Sequence, residues 1–265
     1  MSLIGAPMAG QPLQKGVPME SVIDFQARDD GVVVLKLQDR EHKNTFTPAL
    51  IEGLMQAYAR INANDAYKAV VITGYDSFFC SGGTREGLLA LNQTRGDFTD
   101  ANVYSLAFEC KIPVIAAMQG HAIGGGLVMG LFCDIVVLSR ESLYTANFMK
   151  YGFTPGMGAT YILPARLGSL GQEMLLGAQS YSGAVLEARG ASFAVLPRAK
   201  VLDHALELAT ELADKPRLAL ITLKHHLNRK LREDLPAVIE RELAMHALTM
   251  HQPEVGERIS TLFGR

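Results

Sequence analysis

Gly120-His121-Ala122-Ile123-Gly124-Gly125-Gly126, read with the earlier Ser81-Gly82-Gly83-Thr84, decides the fold of this chain. Each glycine cluster lies downstream of an apolar, strand-like run. Ala69-Val70-Val71-Ile72-Thr73-Gly74 leads towards the first, and Ile112-Pro113-Val114-Ile115-Ala116-Ala117-Met118 leads into the second. Glycine destabilises regular structure, so such clusters mark tight strand-to-helix turns or places where backbone approaches something closely. Two peptide N–H groups brought together from separate loops form a cradle for an oxygen that gains negative charge.

Working outward, the strand–helix alternation fits an α/β fold. Asp30 to Leu37 reads as a strand after a turn. Pro48 to Asn64 reads as an amphipathic helix, with Leu50, Ile51, Leu54, Met55, Tyr58 and Ile61 at helical spacing. Thr99 to Glu109 is expected as another helix, Gly126 to Cys133 as a third, and Asp134 to Leu138 as a strand. From about Val201 the chain reads as helical throughout, with helices over Val201 to Ala213 and Leu218 to Arg232. A further one is expected from Pro236 to Met250, since proline suits a helix start.

At 265 residues, with 48% hydrophobic and 20% charged residues and a net charge of −2, the chain suits a soluble protein with a sizeable core. That balance gives no global attraction to nucleic acid or to an anionic membrane. No stretch reaches the length of a transmembrane span. Residues 1–18, rich in Gly, Pro and Met, lack the pattern of a signal peptide and are set aside as a mobile extension. Cys80, Cys110 and Cys133 have no metal-ligand spacing and read as reduced, buried thiols of a cytoplasmic protein; Cys80 has no neighbouring base to make it a nucleophile.

Four ordered segments carry a family resemblance: Phe79-Cys80-Ser81-Gly82-Gly83, Ile112 to His121, Gly124-Gly125-Gly126, and Gly152-Phe153-Thr154-Pro155-Gly156-Met157-Gly158-Ala159-Thr160. On these the chain resembles the crotonase (enoyl-CoA hydratase/isomerase) superfamily from about Val22 onward. The resemblance implies a repeated ββα spiral core over residues 19–200. It also implies a helical region over 201–265 that serves trimerisation and the active site, and a trimer or a hexamer of two trimers. It places the oxyanion hole at the N–H groups of Gly83 and Gly125, which would hold a thioester oxygen as it becomes an enolate.

Hydratases of that family use two glutamates, and this chain has Val128 and Phe148 at those positions. Neither side chain can activate water or deliver a proton, so both are expected to keep the pocket dry. Dryness beside an oxyanion hole suits decarboxylation, because loss of CO2 from an acid vinylogous to a thioester leaves a dienolate on the thioester oxygen. His246 shares the apolar face of its helix with Ile239, Leu243 and Met250, and is read either as a core histidine or as a proton donor. Glu242, one turn earlier, is expected to pair with it and raise its pKa.

Met118 to His121, Tyr144 to Pro155 and Glu242 to His246 narrow the resemblance to the decarboxylating crotonases of polyketide β-branching. These convert 3-methylglutaconyl on an acyl carrier protein to 3-methylcrotonyl without a cofactor, and their C-terminal catalytic histidine corresponds to His246. Their loop lysine, which engages the carboxylate, has no counterpart between Arg85 and Asp97; Arg95 is the expected substitute and Arg85 the second choice. Tyr151, with Lys150, is expected at the pocket, and His121 beneath the glycine loop. The basic run Lys224, His225, His226, Arg229, Lys230 and Arg232 reads as a solvated face or as a docking surface for the carrier protein. An enoyl-thioester isomerase of the same fold, and a non-catalytic scaffold or RNA-binding protein, are the alternatives.

Overall fold

The computed structural model describes residues 22–94, 96–99 and 102–264. The extension expected over residues 1–18 and the candidate Arg95 lie outside the described residues. The strands and helices of the first half are β1 (Ile23–Ala27), β2 (Val32–Leu37), α1 (Pro48–Ala63), β3 (Ala69–Thr73), β4 (Phe78–Cys80), α2 (Arg85–Gln93), α3 (Leu106–Glu109), β5 (Val114–Met118), β6 (His121–Ile123) and α4 (Gly125–Leu131). Then come β7 (Ile135–Ser139), β8 (Leu143–Thr145), a 3-10 turn (Asn147–Tyr151), α5 (Ala159–Leu167), α6 (Ser169–Gly177), β9 (Ser180–Ser182), α7 (Gly183–Ala188) and β10 (Ala194–Leu196). Four helices follow: α8 (Arg198–Ala213), α9 (Arg217–Leu227), α10 (Arg229–Thr249) and α11 (Pro253–Leu262).

Two sheets organise the core. The larger runs β1-β2-β3-β5-β7-β10, and the smaller β4-β6-β8-β9. The inner strands of both are parallel, with β1 and β9 antiparallel at one edge of each. Three times in succession the chain lays a strand in the large sheet, a strand in the small sheet, and then a helical segment: β3-β4-α2, β5-β6-α4, β7-β8 and the 3-10 turn. This is the ββα spiral implied by the resemblance, within the α/β class read from the alternation.

Both faces of the large sheet are covered, which is why β3 and β5 read as continuous apolar runs and not as alternating ones. Val33, Leu35, Val70, Ile72 and Met118 face the main core, which α1 closes with Leu50, Leu54, Ala57 and Ile61. Val32, Val34, Val71, Ile115 and Val137 face α8 instead, whose Ala205, Ala209 and Ala213 recur every four residues. These small side chains form the helix face against the strands. The corner between β5 and β6 is tied by polar groups: Thr73 Oγ1 and Gly74 N–H donate to Gln119 Oε1 at 3.0 and 3.1 Å, and Tyr144 Oη donates to the Met118 carbonyl at 2.7 Å.

Three helical expectations need correction. Thr99 to Glu109 is helical only over α3; Ser105 Oγ bonds Asn102 Oδ1 at 2.9 Å, and this local side-chain bond holds a turn in place of a longer helix. Residues 100–101 lie outside the described residues. The helix expected over Leu218 to Arg232 stops at Leu227, where Asn228 turns aside to donate to Asp134 Oδ1 at 3.0 Å. Pro236 starts nothing: α10 begins at Arg229 and runs through it, with the buried Leu235 and Val238 beside the ring holding the helix to the core against the lost hydrogen bond.

Candidate active site

The two glycine clusters meet backbone to backbone. Gly82, with φ of 76°, lies so close to the second cluster that a Cβ there would stand 2.5 Å from the Ile123 carbonyl and 3.1 Å from the Gly125 nitrogen. A Cβ on Gly126 would stand 2.2 Å from the Cys80 carbonyl. No side chain fits between the loops, and this is the physical reason for the clusters. The buried Asn44 braces the first loop, donating to the carbonyls of Leu37 and Phe79 at 3.2 and 2.9 Å, while Phe46 N–H donates to the Gly82 carbonyl at 2.7 Å. Gly124, with φ of 54°, donates to the Thr145 carbonyl and sets Gly125 as the first residue of α4.

Gly83 and Gly125 both line a cleft of about 990 Å³. Among the described residues, neither N–H donates to a protein acceptor. Two such groups at one cleft can donate together to an external acceptor. Phe148 and Tyr151 also line the cleft. Tyr151 stacks between Phe153 and Phe263 at 6.2 and 6.1 Å, and burial raises its phenol pKa.

Val128 differs from expectation. It is wholly buried, as is every residue of α4, and does not reach the cleft; it packs beneath the site. Arg85 is exposed at the mouth as the first residue of α2, and the Thr84 hydroxyl accepts the Gly87 N–H as the cap of that helix. Cys80 Sγ donates to the Asn44 carbonyl, and burial pushes its thiol up to about 12, which leaves it protonated and unreactive at neutral pH. His121 sits under the loop as expected, accepting the Leu143 N–H at Nδ1.

His246 is 7% exposed and stands one ring behind the cleft wall, edge-on to Phe153 at 5.6 Å and to Phe98 at 5.3 Å. Burial drives its pKa down to about 4, the neighbouring His251 adds to this, and Asp97 opposes it. The expected pairing with Glu242 is not made, and the expected rise in pKa is reversed. Glu242 turns away, accepting the Gly158 N–H at 2.7 Å, the Thr160 N–H at 2.8 Å and the Thr160 hydroxyl at 2.6 Å. Burial raises the Glu242 pKa against these bonds.

Three neighbours escaped sequence reasoning. A Cβ on Gly125 would meet Phe46 Cε2 at 2.7 Å and Met157 Sδ at 2.9 Å, and one on Gly156 would meet Phe98 Cε1 at 2.5 Å. These contacts link distant segments, and nothing local in the sequence announces them. The basic run is also redistributed. Lys224 is buried, bonded to the carbonyls of Ala107 and Ile112 and paired with Asp134 at 2.8 Å, and Arg232 donates to the Phe108 carbonyl. Two of the six residues of this run thus pin α9 and α10 to the core, while His225, His226, Arg229 and Lys230 are exposed. Among the described residues there is no metal-binding cluster, and no helix is long and apolar enough to cross a membrane.

Comparison with known proteins agrees with this geometry. The enoyl-CoA hydratase/isomerase family matches residues 27–261. The bacillaene synthase decarboxylase PksI of Bacillus subtilis (strain 168) is 61% identical over 245 residues, covering 92% of this chain and 98% of that protein. A solved structure of a dehydratase/decarboxylase enzyme couple involved in polyketide β-branching superposes with a TM-score of 0.91 at 61% identity, over 92% of this chain and all of that one. The ECH2 decarboxylase domain of CurF from Lyngbya majuscula superposes with a TM-score of 0.88 at 40% identity, over 91% and 99% of the two chains. The chain therefore belongs to the enoyl-CoA hydratase/isomerase family, and resembles within it the decarboxylases of polyketide β-branching.

Proposed function

We propose that this protein removes CO2 from a 3-methylglutaconyl thioester carried on an acyl carrier protein, giving the 3-methylcrotonyl thioester. The observation that carries this reading is the pair of unengaged N–H groups of Gly83 and Gly125 at a cleft lined by Phe148, with Val128 buried beneath it, where hydratases have two acids. The thioester oxygen accepts from the two glycines. The bond between the γ carbon and the carboxylate breaks, its electron pair spreads into the dienolate, and charge collects on the oxygen so held. A proton then adds to the γ carbon to give the α,β-enoyl product, or to the α carbon to give the β,γ isomer.

His246 is the donor in this reading. In the empty site, burial keeps its ring neutral. A substrate carboxylate beside it supplies the negative charge that favours the imidazolium, so the proton is taken up with the substrate and delivered once CO2 has left. Arg85 and the exposed Arg258 stand at the mouth and suit the phosphate of a phosphopantetheine arm; Arg95 is retained as a candidate for the carboxylate. The reaction as written needs no cofactor. The exposed Leu218, Leu223, Leu227 and Leu248 of α9 and α10 support the homotrimer or hexamer, to be measured by light scattering. Three buried free cysteines support a cytoplasmic setting.

The test is intact mass of carrier-bound 3-methylglutaconyl incubated with wild type and with His246→Ala. Loss of one CO2 with wild type, abolished in the variant, is expected. Unchanged mass with wild type rejects the substrate. Isomerisation without mass loss would identify an isomerase instead.

A further inference from the structure

Glu242 is 1% exposed and, among the described residues, pairs with no cation. Its carboxylate is spent on three donors from one short segment, residues 156–160. That segment touches both halves of the site. Gly156 packs under Phe98, whose ring meets His246 edge-on. Met157 holds its sulfur 2.9 Å from where a Cβ on Gly125 would stand. Met157 and Gly158 both have positive φ, 63° and 75°, a conformation a methionine adopts only when its surroundings impose it. A Cβ at Gly158 would stand 2.8 Å from Phe132 Cζ, so the turn has no room to shift toward the core. Glu242 imposes the conformation from the other side, by capping the first turn of α5 through Gly158 and Thr160.

The same helix, α10, carries His246 one turn beyond Glu242. One carboxylate therefore fixes the spacing between the segment that packs beside Gly125 and the helix that holds the proposed proton donor. We infer that Glu242 is a positioning residue for carbon protonation: it locks residues 156–160 onto α10, so that Gly125 and His246 keep one separation across the dienolate. That separation selects which carbon, γ or α, receives the proton. The inference rests on the decarboxylase reading and adds what sets its product.

Glu242→Gln keeps the shape of the side chain but turns an amide NH2 towards donors, and Thr160→Val removes the hydroxyl donor alone. Each is assayed with 3-methylglutaconyl-pantetheine, following CO2 release, the ratio of α,β to β,γ product by NMR, and Tm. For Glu242→Gln the expected result is a kcat lowered roughly 10- to 100-fold, as for small misplacements of reacting groups. KM changes little, and the product ratio moves away from that of wild type. Thr160→Val moves the ratio the same way by less. Loss of fold lowers the amount of active enzyme without moving the product ratio, so the ratio separates positioning from mere support. A ratio equal to wild type in both variants overturns the inference, whatever the rate. Should Glu242→Gln fail to fold, the ratio in Thr160→Val decides alone. Wild type that releases no CO2 overturns the decarboxylase reading and this inference with it.

Discussion

Acid should unfold this protein partly through His246. Its folded pKa of about 4 lies below the ordinary 6.5 because burial between Phe98 and Phe153 opposes the charged ring. Between those values the unfolded chain binds more protons than the folded one, so stability falls as the pH is lowered. The contribution is intact above about pH 6.5, is lost as pH drops towards 4, and is constant below. Integrating the linkage relation gives a loss of about 2 kcal/mol from pH 7 to pH 5 and about 3 kcal/mol in all. Glu242, with a raised pKa, acts in the opposite direction, and it is present in any His246 variant. The clean measurement is the difference between wild type and His246→Leu in urea unfolding across pH 4 to 8. Wild type should gain a steep acid limb that the variant lacks. Parallel curves would refute the reasoning, because a histidine that costs nothing to protonate is not held neutral by its burial.

Other outcomes follow from named contacts. Gly125→Ala drives a methyl into Phe46 and Met157, and displacing the donor should lower kcat by about 10² to 10³ with circular dichroism unchanged; wild-type kcat would remove this N–H from the chemistry. Lys224→Met leaves Asp134 and two carbonyls without their cation, at a cost of about 3–5 kcal/mol in urea unfolding. A loss within about 0.5 kcal/mol, the range of an ordinary surface change, would show that the pair is merely tolerated. Arg85→Glu should weaken use of the carrier-bound substrate in low salt while sparing the pantetheine thioester, since an exposed charge acts through screened attraction; equal effects on both would place Arg85 deeper in the reaction.

The α/β alternation was legible because its signals are local, and the resemblance supplied the spiral. Helix α1 shows its buried face at helical spacing, and β3 and β5 show runs fit only for strands covered on both sides. The glycine clusters were legible because glycine there has a steric cause that composition betrays. The role of Glu242 was not, since its donors lie 82 and 84 residues away along the chain. Proximity of four residues on one helix suggested His246 as its partner, but a carboxylate in low dielectric goes where several N–H donors converge. Lys224 misled for a similar reason: charge density in sequence says nothing of which cation is buried. Pro236 misled because packing on either side overrode a local preference.

The cleft is bounded by parts made at very different times. Its glycine loops centre on Gly83 and Gly125, whereas Leu262 and Phe263 complete the wall and His246 stands behind it. Helix α11 reaches back to α2, where the Asn92 amide donates to the carbonyls of Met250 and Gln252, and Arg258 donates to the Lys150 carbonyl of the 3-10 turn. During synthesis the glycine loops emerge long before the helix that carries His246. A chain made only that far lacks the residues that close the cleft. On the proposed reading, decarboxylation therefore waits for α10 and α11, which bring the last of the cleft wall and the proposed acid together.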